Sequence, residues 1–186
     1  MSHCKRVVAA AVVLCGLCVL LASPAHANGG AMFLATEADG GVCDFVVPGP
    51  ALVYVYLVHQ LAPGDGVTAS RFRVQPPATW AFLSINTTLP YIGSPDSDLS
   101  IDYTVCQQSS FTIGYLLYFE TGATASCTDM YVLPSVVETN LLALDCSYQQ
   151  IPMLGYGAVI NPTGDCCCNC IAAHETTWGQ VKALYR

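Results

Sequence analysis

The chain is poor in charge, and poorest in positive charge, with six Lys and Arg against thirteen Asp and Glu in 186 residues and a formal net charge of −7. So few cations exclude a phosphate-backbone partner, because the acidic surface would repel it, and they leave no polybasic segment to draw the chain onto anionic lipid. Catalytic signatures are missing too. There is no Gly-x-Ser-x-Gly elbow, no phosphate-cradling Gly-x-x-x-x-Gly-Lys loop and no His-Glu-x-x-His pair. His59 has no acid tied to it by spacing and no evident nucleophile, so it reads as a strand-end side chain rather than a general base. No catalytic residue, cofactor or enzymatic activity is expected. Helical periodicity is absent before residue 176, which excludes a parallel α/β fold.

What is present begins with a leader: Lys5-Arg6, an apolar stretch over residues 7–22, and the small-residue site Ala25-His26-Ala27. The stretch is shorter than the roughly 20 residues of a membrane-spanning helix, so residues 1–27 read as a cleaved signal peptide that leaves no span behind. The expected location is secreted, periplasmic or in the outer envelope. Cleavage would leave four basic residues (Arg71, Arg73, Lys182, Arg186) against the same thirteen acidic ones, 4 − 13 = −9.

Eight cysteines follow the leader: Cys43, Cys106, Cys127, Cys146, Cys166, Cys167, Cys168 and Cys170. An even number in an exported chain reads as disulfides. Cys106 and Cys127 flank one strand and are the first pairing expected, closing a hairpin. Cys166 and Cys167 are neighbours that rarely bridge each other, so each should reach back and staple the tail to the body. The cluster with His174 has thiolate and imidazole ligands that would suit Zn²⁺ or Cu⁺, but oxidation in an exported chain is the stronger reading.

The body, residues 28–165, reads as an all-β antiparallel sandwich, immunoglobulin-like or jelly-roll-like. Residues 51–58 form an apolar run rich in Val and Tyr that should be covered on both faces. After the Pro63-Gly-Asp-Gly66 turn, residues 68–74 should return beside it, with Ser70, Phe72 and Val74 on one face and Arg71 and Arg73 on the other. Residues 31–35, 42–47, 79–85, 99–105, 111–119, 130–133, 141–144 and 156–160 complete the strands. Leu99, Ile101, Tyr103 and Val105 should share a face, as should Phe111, Ile113, Tyr115, Leu117 and Phe119, with Gly114 marking a bulge.

Tyr54, Tyr56, Tyr115 and Tyr118 form a candidate aromatic platform for a protein or glycan of the cell surface. Asp96, Asp98 and Asp102 form a candidate Ca²⁺ turn, although the glycine and distal glutamate of an EF-hand loop are absent. Residues 166–186 read as a cysteine-rich segment followed by a short helix. There Thr177 and Gln180 fit a capping box, and Trp178, Val181 and either Leu184 or Tyr185 recur at helical spacing. This end is a candidate attachment or sorting element.

The ending Trp178-Gly-x-Val-Lys-Ala-Leu-Tyr185 after a cysteine cluster resembles that of a group of uncharacterised exported bacterial β-sandwich proteins. The resemblance extends to Tyr56, His59, residues 68–74 and Ile160-Asn-Pro-x-Gly164. It implies export, a bacterial origin and a sandwich fold, and it implies no activity. The expected function is a non-enzymatic structural or binding module, with a carbohydrate- or calcium-dependent recognition domain as the alternative and a secreted hydrolase further behind.

Overall fold

A computed structural model describes residues 29–122, 124–164 and 166. The leader, the cysteines at 167, 168 and 170, His174 and the expected C-terminal helix lie outside them. Thirteen strands make up the described part, with no helix among them: β1 (Ala31–Ala35), β2 (Asp44–Phe45), β3 (Ala51–Gln60), β4 (Val67–Gln75), β5 (Trp80–Asn86), β6 (Tyr91–Ser94), β7 (Asp98–Gln107), β8 (Phe111–Glu120), β9 (Thr128–Leu133), β10 (Leu142–Asp145), β11 (Gln150–Pro152), β12 (Leu154–Gly155) and β13 (Gly157–Ile160).

They form a β-sandwich. A five-stranded sheet runs β12-β1-β3-β8-β5, and an eight-stranded sheet runs β11-β10-β4-β9-β13-β2 with β7 and β6 added beside β4. The long pairings are antiparallel; the parallel exceptions are β1 with β12 and β13 with β2. One core lies between the sheets, filled by Leu34, Val55, Leu57, Leu116 and Tyr118 from the first and Phe72, Val74, Leu99, Ile101 and Met130 from the second. Trp80 meets Phe45 edge-on across the gap, ring centroids 6.2 Å apart.

Three expectations need correction. The segment from 61 to 66 does not close a hairpin: β3 pairs with β1 and β8, while β4 pairs with β7, β9 and β10 in the other sheet. The turn is an arch between layers, and it lets Leu57 and Phe72 face one another's sheets instead of lying side by side. The alternation within β4 is as expected, with Ser70, Phe72 and Val74 buried.

Next, Val105 does not join Leu99, Ile101 and Tyr103 in the core but is exposed. Thr104 has φ +63°, and its amide donates to Asp102 Oδ1 at 2.7 Å; this left-handed residue breaks the strand's two-residue period.

Finally, Cys106 pairs with Cys146 and Cys127 with Cys166, not Cys106 with Cys127. β7 belongs to the eight-stranded sheet and β8 to the five-stranded one, so residues 106–111 cross between layers and no hairpin brings 106 to 127. Cys106 ends β7 and Cys146 follows β10, the two strands that flank the first half of β4. Cys127–Cys166 staples the end of the body back to the start of β9, as expected for Cys166. Cys43 is disulfide-bonded as well. Each mapped bridge closes a loop of about 40 residues, a size for which loop-closure entropy gives roughly 3–4 kcal/mol.

Candidate binding face

The outer face of the five-stranded sheet is built by a change of phase in β8. Opposite Leu57 and Val58 the register slips, with Leu57 beside Gly114 and Val58 beside Thr112, so Ile113 is an extra residue. Gly114 sits at φ +151°, where a Cβ would run into the backbone oxygen of Asn86, so a side chain there is excluded. The expected bulge is therefore present, and it divides the expected face. Phe111 and Ile113 point inward, but beyond the bulge Leu116, Tyr118 and Glu120 take the core side, and Tyr115, Leu117 and Phe119 emerge on the outside.

Three rows cross this face. Leu52, Phe119 and Ala81 form one, Tyr54, Leu117 and Ser84 the next, and Tyr56, Tyr115 and Asn86 the third. Tyr115 meets Tyr54 and Tyr56 edge-on, centroids 5.3 and 5.7 Å away. Leu52 is 54% exposed and Tyr54 47%, and Leu83 stands out at a second register slip in β5. No outward position on β1, β3, β5 or β8 carries a charge. The expectation that the run at 51–58 is covered on both faces thus fails on the outside, where nothing among the described residues lies over Leu52 or Tyr54.

The aromatic platform is also corrected in membership. Tyr118 is fully buried among Trp80 and Phe82, because it has the opposite parity to Tyr115. Its hydroxyl has no hydrogen-bond partner among the described residues, and burial pushes its ionisation well above the ordinary tyrosine range. Leu52, Leu83, Leu117 and Phe119 were not foreseen as surface residues; for Leu117 and Phe119 the signal was Gly114, which resets the alternation of β8.

Asp96, Asp98 and Asp102 do not converge. Asp98 takes two hydrogen bonds from the Arg71 guanidinium and one from the Ser135 hydroxyl, which together hold its carboxyl down to about 2. Burial raises the Asp96 carboxyl instead, and Asp102 caps Thr104. No group of His, Cys, Asp and Glu among the described residues could hold a metal ion.

His59 closes β3 as a fully buried hydrogen-bond partner. Its Nδ1 lies 2.8 Å from the Tyr103 hydroxyl and its Nε2 2.7 Å from the Gly29 carbonyl oxygen; the Tyr103 hydroxyl is also 2.5 Å from Ser70 Oγ. Burial lowers its proton affinity more than the Gly29 carbonyl raises it, so the ring is neutral, with Nε2–H donating to the Gly29 carbonyl. Among the described residues no acid orients it and no nucleophile faces it; it ties the start of β1 to the core.

A buried acid lies elsewhere, at a position that no local pattern in the sequence marks. Glu120 ends β8 and accepts the amides of Gly122 (2.7 Å) and Thr124 (3.1 Å) together with the hydroxyls of Thr79 and Thr124, which fastens the loop beside Trp80.

No protein-family model matches the chain, and no curated protein matches it in sequence. Among solved structures it is similar to cohesin modules. One is a non-cellulosomal cohesin from the hyperthermophilic archaeon Archaeoglobus fulgidus, 8% identical, covering 73% of this chain and 91% of that one, TM-score 0.49. A chain of a type I cohesin–dockerin complex from Clostridium thermocellum is 9% identical, covering 72% and 94%, TM-score 0.48. The cohesin module of a Clostridium perfringens family 33 glycoside hydrolase is 11% identical, covering 72% and 98%, TM-score 0.47. At these values the likeness carries no inference about ligand or partner.

Proposed function

We propose that the protein is an exported, disulfide-stabilised, non-enzymatic binding module that holds a partner protein against the outer face of its five-stranded sheet. The observation that carries this reading is the set of charge-free rows from Leu52, Tyr54 and Tyr56 across Tyr115, Leu117 and Phe119. Contiguous apolar area in contact with water is costly at roughly 25 cal/mol per Å², and such patches on folded domains mark sites that a partner covers. Exposed tyrosines suit this role because they offer large rigid contact area at low entropic cost. The disulfides favour an oxidising compartment, in line with the expected signal peptide.

The test is site-specific photo-crosslinking of the full chain in its producing cell, from position 54, with position 73 on the other sheet as control. A discrete adduct with one other protein from position 54, absent from position 73, is expected. An adduct of the chain with its own residues 167–186, or none at all, overturns the reading.

A further inference from the structure

The eight-stranded sheet carries a groove on its own outer face, on the opposite side of the molecule from the aromatic rows. Two depressions, of about 180 and 480 Å³, share Ala69, Ser100 and Leu144 as lining. Register explains the hollow. Ser100 pairs with Ile92 on one side and Arg71 on the other, and Ala69 pairs with Asp102 and Leu144. Two small side chains, Ala69 and Ser100, therefore lie between taller walls.

Those walls are held in place. On one side stands Ile92 of β6, 74% exposed and paired with Ser100. On the other stands Tyr148, also 74% exposed, in a turn with φ +61°. Asp145 Oδ1 accepts the amides of Ser147 and Gln149 at 2.7 and 2.8 Å, Tyr148 N–H donates to the Asp145 carbonyl at 3.0 Å, and Cys146 bonds the same turn to Cys106. A bulky ring in the left-handed region, pinned on every side yet packed into no core, is strain of the kind that accompanies binding.

The chemistry of the groove selects its ligand. Its one cation among the described residues, Arg71, is committed to Asp98 and Glu138, and Asp102 adds negative charge, so an anion is disfavoured. β4 is hydrogen-bonded on both edges to β7, β10 and β9, so the floor offers no free backbone ladder to an extended peptide. What it offers is the exposed ring of Tyr148, the exposed side chain of Ile92, the hydroxyls of Tyr148 and Ser100 with no partner among the described residues, and the second oxygen of Asp102. An apolar ring face beside a few hydroxyl and carboxylate groups matches the two sides of a pyranose.

We infer that this groove is a binding site for a neutral oligosaccharide, with a sugar ring laid on Tyr148 and its hydroxyls bonded to Ser100 and Asp102. It is a second site, independent of the protein-binding face. The experiment is titration calorimetry of the full-length, oxidised protein with neutral hexasaccharides: cello-, xylo-, laminari-, malto- and chitohexaose. Binding of at least one is expected, weakened tenfold or more by Tyr148→Asn, and unchanged by Tyr54→Ser on the opposite face. Asn accepts φ > 0 better than Tyr, so Tyr148→Asn should fold at least as stably as the parent, and thermal unfolding checks this. Absence of binding to all five, binding that survives Tyr148→Asn, or equal loss in Tyr54→Ser overturns the inference; the last outcome would place the sugar on the other sheet.

Discussion

Arg71 and Asp98 meet through two parallel hydrogen bonds, Nε to Oδ1 at 2.8 Å and Nη2 to Oδ2 at 2.7 Å, while Nη1 of the same guanidinium reaches Glu138 Oε1 at 2.9 Å. One side chain on β4 thereby ties the start of β7 to residues 134–141. That stretch is an excursion between β9 and β10, which lie end to end along one edge of β4. The excursion has little apolar anchorage, since Val136 and Val137 are exposed, so charge and hydrogen bonding hold it.

Arg71→Ala should therefore raise amide hydrogen exchange across 134–141 and lower the unfolding free energy only modestly, because both charges are about one-third exposed. The pH dependence has a definite sign. Asp98 ionises near 3.8 in an ordinary setting and at about 2 when folded, so its contribution is complete above about pH 4 and is lost as pH falls towards 2. The urea midpoint should fall between pH 4 and pH 2, and fall less in Asp98→Asn; equal falls would show that the bond contributes nothing.

His59 titrates with the same sign but in a different window. Its folded proton affinity is below the ordinary 6.5, so the unfolded chain takes up a proton first, and stability present at pH 7.5 should decline as pH drops through 6.5 towards the folded value. His59→Phe removes that slope. It also leaves the Gly29 carbonyl and the Tyr103 hydroxyl without their ring partner in the core, at a cost of roughly 2–4 kcal/mol. Chemical unfolding at pH 7.5 and 5.5 measures both; an unchanged slope in the variant would remove His59 as its source.

Gly114 is the residue on which the aromatic face depends. Gly114→Ala puts a Cβ against the Asn86 carbonyl at a backbone angle that L-residues avoid, and roughly 2 kcal/mol of stability should be lost. Thermal unfolding is the measurement. A variant as stable as the parent would mean that β8 can run without its bulge, returning Tyr115, Leu117 and Phe119 to the phase that simple alternation expects.

Much of the fold was legible locally. The spans of β1, β3, β4, β5 and β8 follow from Val, Tyr, Phe and Ile content bounded by Pro and Gly, and the inward set Ser70, Phe72 and Val74 follows from strict alternation. The candidate site was less legible. Tyr54, Tyr56 and Tyr115 do come together, but Tyr118 does not, because a single extra residue in β8 reverses parity for all that follows. Ile92 and Tyr148 lie outside every strand expected from the sequence; the walls they form exist because β6 and the turn after β10 are brought to opposite sides of β4.

The sequence by itself determined an all-β chain, the strands within it and the side chains able to fill a core, since these depend on the chemistry of neighbours one or two residues apart. Tertiary structure alone decided which sheet each strand joined, which cysteines met and which aromatics stayed in water. Residues 61–66 can close a hairpin or arch between layers with the same local chemistry, and only the long-range pairing of β3 with β8 and of β4 with β7 chooses between them.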